Sequence, residues 1–256
     1  MSLSREVKIR IKFVFESEKG VIVLPINYQR QLQAFIYKSV SPKLAKFLHE
    51  KGFKYEKRKF KLFTFSRIFG KYKIIQDKKK IEFKTPVSFY LSTIYPVIAE
   101  EFTENLVKSE NLKLGRASIM LSSVEVFMKK INKDSVKIKM LSPAVVYSTL
   151  KKSDGSKKTY YYSPFEKEFS ELAEKNIMKK YFSYYGHMPT TEKFKIKPLK
   201  VSEKKNLVIT FFKGTVIKGW TGIYELESSP ELLEFSYCTG IGSKNSQGFG
   251  MWEIAE

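Results

Sequence analysis

The sequence predicts an α+β protein made of two similar halves, each with its elements in the order β, α, β, β, α, β. Three observations carry this reading: strands alternating apolar and basic residues open each half, amphipathic helical stretches separate them, and the order resumes beyond about residue 130. That order is the split βαβ of a ferredoxin-like, or RRM-like, domain. The expected architecture is therefore two tandem ferredoxin-like domains, 1–130 and 131–256.

The elements follow in turn. Val7, Ile9, Ile11, Phe13 and Phe15 alternate with Glu6, Lys8, Arg10 and Lys12, the period of an antiparallel strand with a basic polar face. A turn at Gly20 and an extended Val21 to Pro25 lead to Asn27, placed to cap a helix whose apolar positions Leu32, Phe35, Ile36 and Val40 recur at helical spacing. Ser41 caps a second helix, with Pro42 in its first turn, Leu44, Phe47 and Leu48 as its stripe and Gly52 at its end. Strands are expected at Phe60 to Ser66, Lys71 to Ile75 and Ile81 to Tyr90, then a helix from Thr93 to about Lys108 and a strand from Ile119 to Phe127. In the second half Val136, Ile138 and Met140 alternate with lysines and Phe165 to Lys179 is an amphipathic helix. Phe194 to Pro198 and Leu207 to Tyr224 read as strands, Pro230 to Tyr237 as a short helix and Phe249 to Ile254 as the last strand.

Composition narrows the function. At 43% hydrophobic and 29% charged residues, the 256-residue chain is that of a folded globular protein. Forty-seven Lys and Arg against 26 Asp and Glu leave a net charge of +21, a physical argument for a polyanionic partner, because neutralising phosphates releases their condensed counterions. Only Arg5, Arg10, Arg30, Arg58, Arg67 and Arg116 are arginines, so lysine point charges dominate and favour backbone and shape recognition over base reading. Apolar runs such as Val21 to Ile26 are far shorter than the ~20 residues of a membrane span, and no apolar signal core follows the N-terminus, so a cytoplasmic protein without membrane association is expected. Cys238 stands alone, which excludes a disulfide framework and Cys-rich zinc sites. Asp77, Asp134 and Asp154 are scattered in turn-like contexts, which argues against a two-metal nuclease; no metal and no cofactor is expected.

Acid–base chemistry would fall to His49 or His187. Helical-wheel arithmetic puts Tyr37 at about 140° from Leu32, just outside an apolar stripe that runs from about −60° to 80°, and His49 at about 140° from Leu44, so both lie on the shoulders of two successive helices where a polar tip can reach a cleft. Shoulder positions are also where Tyr and His simply sit half buried. His187, between Gly186 and Met188-Pro189, reads as a loop residue. The densest basic run, Lys51 to Lys61, interleaves its charges with Phe53, Tyr55 and Phe60; it reads equally as a solvated loop and as an anion site. Gly240-Ile-Gly242-Ser-Lys244-Asn245-Ser-Gln-Gly248-Phe-Gly250 lacks the order of a dinucleotide fingerprint and the Gly-Lys-Ser/Thr of a Walker loop. Its glycines permit either close approach of backbone N–H groups to an anion or plain turns at positive φ.

Several stretches taken together resemble the Cas-six family of CRISPR-associated endoribonucleases: Leu24-Pro-Ile-Asn-Tyr28 through Tyr37, Phe47-Leu-His49-Glu50, Lys61-Leu-Phe-Thr-Phe-Ser66 and the glycine-rich loop Gly240 to Gly250. Ser142-Pro143, Tyr162-Ser-Pro164 with Glu166 and Phe169, and Lys180-Tyr181 through Gly186 add to the likeness. The resemblance implies two ferredoxin-like halves and metal-independent cleavage of CRISPR repeat transcripts into guide RNAs, a 2′-hydroxyl attacking the adjacent phosphate to leave a 2′,3′-cyclic phosphate and a 5′-hydroxyl. It implies that Tyr37 orients or deprotonates the 2′-hydroxyl, that His49 protonates the leaving oxygen or acts as base, the two roles being interchangeable, and that Lys61 stabilises the phosphorane. The basic stretch before Lys61 departs from the family's spacing, so Lys54, Lys57 or Lys59 could take that last place. RNA contacts are expected from Lys54, Lys57, Arg58, Lys59, Gly240, Gly242, Lys244, Asn245, Gly248 and Gly250. The expected partners are the repeat transcript and CRISPR effector subunits, with monomer and homodimer both open. The rival reading is a non-catalytic RNA-binding subunit of a CRISPR ribonucleoprotein; an ordinary RNA-recognition domain is disfavoured, because its aromatic signature is missing.

Overall fold

The computed structural model describes residues 8–255 apart from Gln76, Lys78 and Lys152; the expected strand start at Val7 lies outside them. The first half runs β1 (Ile9–Glu16), β2 (Val21–Pro25), α1 (Gln29–Lys38), α2 (Pro42–Lys46) continued by a π-helical turn (Phe47–Lys51), β3 (Phe53–Tyr55), β4 (Arg58–Phe60) and β5 (Phe63–Phe65). It continues with β6 (Tyr72–Ile75), β7 (Lys80–Lys84), β8 (Val87–Thr93), α3 (Pro96–Lys108), β9 (Leu112–Leu114) and β10 (Ala117–Phe127). The second half runs β11 (Ser135–Met140), β12 (Tyr147–Lys151), β13 (Lys157–Tyr161), α4 (Lys167–Tyr185) and β14 (Phe194–Lys200). Then come β15 (Leu207–Phe212), β16 (Thr215–Trp220), β17 (Ile223–Ser228), α5 (Pro230–Thr239) and β18 (Trp252–Ile254).

The two main sheets share one antiparallel plan. The first is ordered β5-β8-β1-β10, extended by β9, and the second β14-β17-β11-β18. In both, the first strand of the half pairs with its third and fourth, and the second pairs with the third, which is the ferredoxin-like arrangement in duplicate. In the first core Ile11, Phe13 and Phe15 of β1 meet the helices, Phe13 edge-on to Phe102 of α3 at 5.0 Å and Phe15 edge-on to Phe35 of α1 at 5.8 Å. The second core gathers Phe169, Tyr181, Tyr224 and Trp252, together with Leu62 and Ile94 from the first half.

Ser41 caps α2 by accepting from Leu44 N–H at 3.2 Å, with Pro42 in the first turn, as its sequence signature predicts. Elsewhere tertiary structure overrides the local pattern. Asn27 does not cap α1; its Oδ1 accepts from Thr210 Oγ1 (2.8 Å) and Phe211 N–H (3.3 Å), tying the helix entry to the β15–β16 hairpin of the other half. The expected strand at Leu207 to Tyr224 is three strands, broken by positive-φ turns at Lys213-Gly214 and Gly222, and the one at Ile81 to Tyr90 is interrupted at Thr85-Pro86. The Lys51 to Lys61 run is a short hairpin, β3 with β4, whose Tyr55 meets Phe182 of α4 edge-on at 5.3 Å.

Arg10 departs most from its expected setting. It is fully buried, not part of a solvated basic face, and its guanidinium lies 3.4 Å from the ring centroid of Tyr237. It donates to the carbonyl oxygens of Trp252 (2.7 Å) and Tyr237 (2.8 Å) and to Glu253 Oε2 (3.0 Å), all in the second half. No helix among the described residues is long and apolar enough to cross a membrane.

Candidate functional site

Tyr37 sits at the end of α1 and is half buried, its ring 6.1 Å from that of Phe63; burial pushes its phenol up to about 12. The hydroxyl therefore keeps its proton at neutral pH. His49 is exposed in the π-helical turn that continues α2, a local irregularity of the kind often found at functional sites. Gly52 ends the turn at φ +57, and a Cβ there would lie 2.5 Å from the Phe60 carbonyl oxygen and 3.3 Å from Lys61 Nζ. Only glycine lets the end of the β3–β4 hairpin press so closely on the turn. Lys61 Nζ consequently donates to the His49 carbonyl oxygen at 3.2 Å. Burial, and secondarily the neighbouring Lys59, lower the Lys61 pKa.

Tyr37, His49 and Lys61 line one cavity of about 630 Å³. Arg30 and Gln33 of α1 join them from the first half, and Phe212, Lys213, Lys244 and Gln247 from the second. His187 is placed elsewhere, at the C-terminal end of α4 against Tyr181 and Tyr185, its Nδ1 2.9 Å from the Met188 carbonyl oxygen.

The glycine-rich loop closes one wall. Gly240, Gly248 and Gly250 are buried, and their N–H groups already donate to the carbonyl oxygens of Ser236, Asn245 and Pro143. A Cβ on Gly248 would lie 2.5 Å from the Phe65 ring, and one on Gly250 2.1 Å from the Ile241 carbonyl oxygen. These glycines serve close chain packing, and the half-exposed part of the loop is the 243–247 segment. There Lys244, its pKa lowered by burial, lies 5.1 Å over the Tyr147 ring, and Gln33 Nε2 donates to the Ser246 carbonyl oxygen at 2.6 Å. Asn245 is committed inward as well, Nδ2 donating to the carbonyl oxygens of Ile241 (3.0 Å) and Phe249 (3.1 Å).

Sequence reasoning missed Lys180. It is fully buried in α4 and donates to the Gly240 carbonyl oxygen (2.5 Å) and Asn245 Oδ1 (3.1 Å), so it clasps the loop from beneath; burial pulls its pKa down to about 7. The signal was present: Lys180 follows Ala173 and Ile177 at helical spacing on the apolar stripe, where a lysine needs acceptors.

A second cavity of about 740 Å³ adjoins the first, with Lys61, Lys244, Ser246 and Gln247 lining both. Arg58 and Lys59 line the second cavity, the latter also donating to the Glu50 carbonyl oxygen at 2.7 Å. Lys54 and Lys57 are exposed on the hairpin and line neither. Among the described residues no group of three or more His, Cys, Asp or Glu is placed to hold a metal ion.

Two ferredoxin-like halves that jointly wall a lysine-rich cleft, with a phenol, an imidazole and an ammonium on one side and a glycine-rich loop on the other, define a tandem ferredoxin-like protein suited to polyanions. Comparison with known proteins narrows this. The model described as CRISPR-associated protein Cas6, N-terminal, matches residues 23–125, and that described as CRISPR associated protein Cas6, C-terminal, matches 126–254. The chain belongs to the Cas6 family. It is 29% identical to the CRISPR-associated endoribonuclease Cas6 of Pyrococcus furiosus, covering 97% of this chain and 90% of that one. It is also 29% identical to the endoribonuclease-like protein Cas6nc of Pyrococcus horikoshii, over 91% and 94% of the two chains. Among solved structures, a Cas6-related protein from Pyrococcus furiosus superposes with a TM-score of 0.83 at 25% identity, covering 97% of this chain and 99% of the other. One titled as a RAMP protein binding different RNA substrates gives 0.81 at 27% identity, covering 97% of this chain and all of the other.

Proposed function

We propose that this protein is an endoribonuclease that cuts CRISPR repeat transcripts into guide RNAs without a metal. The observation that carries the reading is the convergence of Tyr37, His49 and Lys61 on one cavity of a basic cleft. The substrate's own 2′-oxygen forms a bond to the adjacent phosphorus, the bond to the 5′-oxygen breaks, and the products are a 2′,3′-cyclic phosphate and a 5′-hydroxyl. One proton leaves the 2′-hydroxyl and one reaches the 5′-oxygen. Because its phenol is pushed up to about 12, Tyr37 acts here as a hydrogen-bonding group that orients the 2′-hydroxyl. His49 moves the proton, imidazole being the side chain suited to do so near neutrality. Lys61 stabilises charge developing on the phosphorane. Lys244, Arg58 and Lys59 hold flanking phosphates, and Lys54 and Lys57 add longer-range attraction. In the same reading residues 1–130 form the unit carrying the three reacting groups and 131–256 the unit carrying the loop, the protein works in the cytoplasm, and the product passes to effector subunits.

A second reading, an RNA-binding subunit that does not cut, draws support from the endoribonuclease-like Cas6nc relative, whose identity of 29% equals that of the endoribonuclease. Incubating the protein with a panel of repeat RNAs in EDTA decides between them. A single discrete cut, lost when the ribose just 5′ of it is replaced by deoxyribose, is the expected result. Binding without a cut supports the second reading, and cleavage of the deoxy substrate excludes 2′-hydroxyl attack.

A further inference from the structure

Helix α4 carries two lysines that the proposed cleavage does not use. Lys175 and Lys179, one helical turn apart, line a third cavity, of about 80 Å³, together with Arg58 of β4 and Ser243 of the glycine-rich loop. Like charges at this spacing disfavour a helix unless something neutralises them. Among the described residues no Asp or Glu lines this cavity or either of the two larger ones, and Arg58, Lys175 and Lys179 form no ion pair. The neighbouring acids of α4 are engaged elsewhere, Glu171 with Lys167 at 3.1 Å and Glu174 with the Phe194 N–H at 3.0 Å. Lys179 is also drawn toward the β3–β4 hairpin, its Nζ 5.7 Å from the Tyr55 ring centroid. Three cations from two separate elements thus converge on one hollow.

We infer that this hollow is a phosphate subsite for the RNA backbone, remote from the bond to be cut, and that the bound strand reaches it by crossing the larger cavity. The inference rests on the proposed function for its ligand and deepens it by giving the strand a course. The three cavities run together: Lys61 and Lys244 line the first two, and Arg58, Tyr147 and Leu172 line the second and the third. A strand with one phosphate at Lys61 therefore passes Lys59 and Lys244, then Arg58, and comes to Lys175 and Lys179. Ammonium and guanidinium groups only donate, so the hollow suits an acceptor-rich anion. A single carboxylate would satisfy these donors, but it does not explain why the cations continue without a break to the reacting groups. A polyanion does, because every phosphate neutralised releases counterions and adds to binding. Lys54 and Lys57, exposed on the same hairpin, line none of the three cavities and stand outside this course.

The test measures the affinity of the full-length protein for repeat RNAs at several salt concentrations. The RNAs are 2′-O-methylated throughout, so that no 2′-hydroxyl is left to attack, and are shortened stepwise from either end. The double variant Lys175→Ala/Lys179→Ala is expected to flatten the logarithmic salt dependence by about 0.7 for each phosphate no longer neutralised, one or two in all. Lys108→Ala/Lys193→Ala removes the same charge from lysines that line none of the three cavities and is expected to keep the parent's slope. Shortening the RNA from one end is expected to erase the difference between the parent and the α4 variant, and shortening from the other end to preserve it. Lys175→Gln/Lys179→Gln, which keeps side-chain length, guards against a packing effect and is expected to match the alanine pair. An α4 variant with the parent's slope, a change equalled by the Lys108/Lys193 pair, or a difference that truncation at neither end removes selectively overturns the inference. A parent that binds the unmodified repeat and never cuts it counts against the proposed function alone, because the subsite is read from binding.

Discussion

Lys61 Nζ donates to the main-chain carbonyl oxygen of His49 at 3.2 Å, so the group proposed to stabilise charge is held by the backbone of the residue proposed to move protons. The tether does not involve the imidazole. Replacing the His49 side chain therefore leaves Lys61 in place, and the two contributions can be separated by mutation.

Single-turnover cleavage by His49→Ala is expected to be about 10²- to 10⁴-fold slower than the parent, with RNA affinity little changed, the range for a positioned acid or base. His49 is exposed, so the variant should melt like the parent. Unimpaired cleavage by the folded variant would make His49 a bystander.

Lys61→Ala is expected to slow the chemical step and leave most ground-state binding intact, since only an interaction stronger in the transition state lowers the barrier. Lys57→Ala should behave oppositely, because Lys57 lies outside both cavities. For every phosphate of single-stranded RNA that a variant no longer neutralises, the salt dependence of binding should flatten by about 0.7 in logarithmic slope. A larger rate defect in Lys57→Ala would move the charge-stabilising role to the hairpin.

The chain's periodicity and caps made much of the fold legible. Alternation placed β1 and β11, the Ser41-Pro42 pair placed the start of α2, and the repeated order of elements disclosed the duplicated architecture. What stayed hidden were side chains whose partners lie far along the chain. Asn27 reads as a helix cap because its neighbours are helical, but its hydrogen bonds go to Thr210 and Phe211. Arg10 fits the alternation of a solvated strand face and is instead buried against Tyr237 and Trp252. The wheel arithmetic brought Tyr37 and His49 to the shoulders of their helices; that they and Lys61 meet depends on Gly52 and the hairpin, which no local pattern encodes.

The pH dependence of stability should expose Lys180. Its pKa falls from the ordinary 10.5 to about 7 in the folded protein, so the unfolded chain holds this proton more tightly. Stability from this group is fully present above the unfolded value and is lost as the pH falls through about 7. Denaturant unfolding of the parent relative to Lys180→Met is therefore expected to show the parent gaining, by up to a few kcal/mol, between pH 7 and 10.5. A difference independent of pH over that window would show that Lys180 does not titrate there.

Gly248→Val is expected to destabilise the protein by about 1–3 kcal/mol, because a β-branched residue is strained at positive φ and its Cβ would clash with the Phe65 ring. Lys244→Ala, changing a half-exposed side chain in the same loop, should melt like the parent and weaken RNA binding. Thermal melts paired with RNA titrations check both. A Gly248→Val protein of unchanged stability would refute the close-packing role.

The burial of Arg10 bears on how an RNA strand gains entry. Parting the two halves like jaws would strip its guanidinium from Trp252, Tyr237 and Glu253, breaking three charge-assisted hydrogen bonds of roughly 1.5–3 kcal/mol each. Arg10 thus ties the two halves together before any strand arrives, and under the proposed function adaptation falls to the incoming polymer. Under that function selectivity is expected to include a mechanical component, with transcripts that unwind readily cut in preference to rigid ones of identical charge.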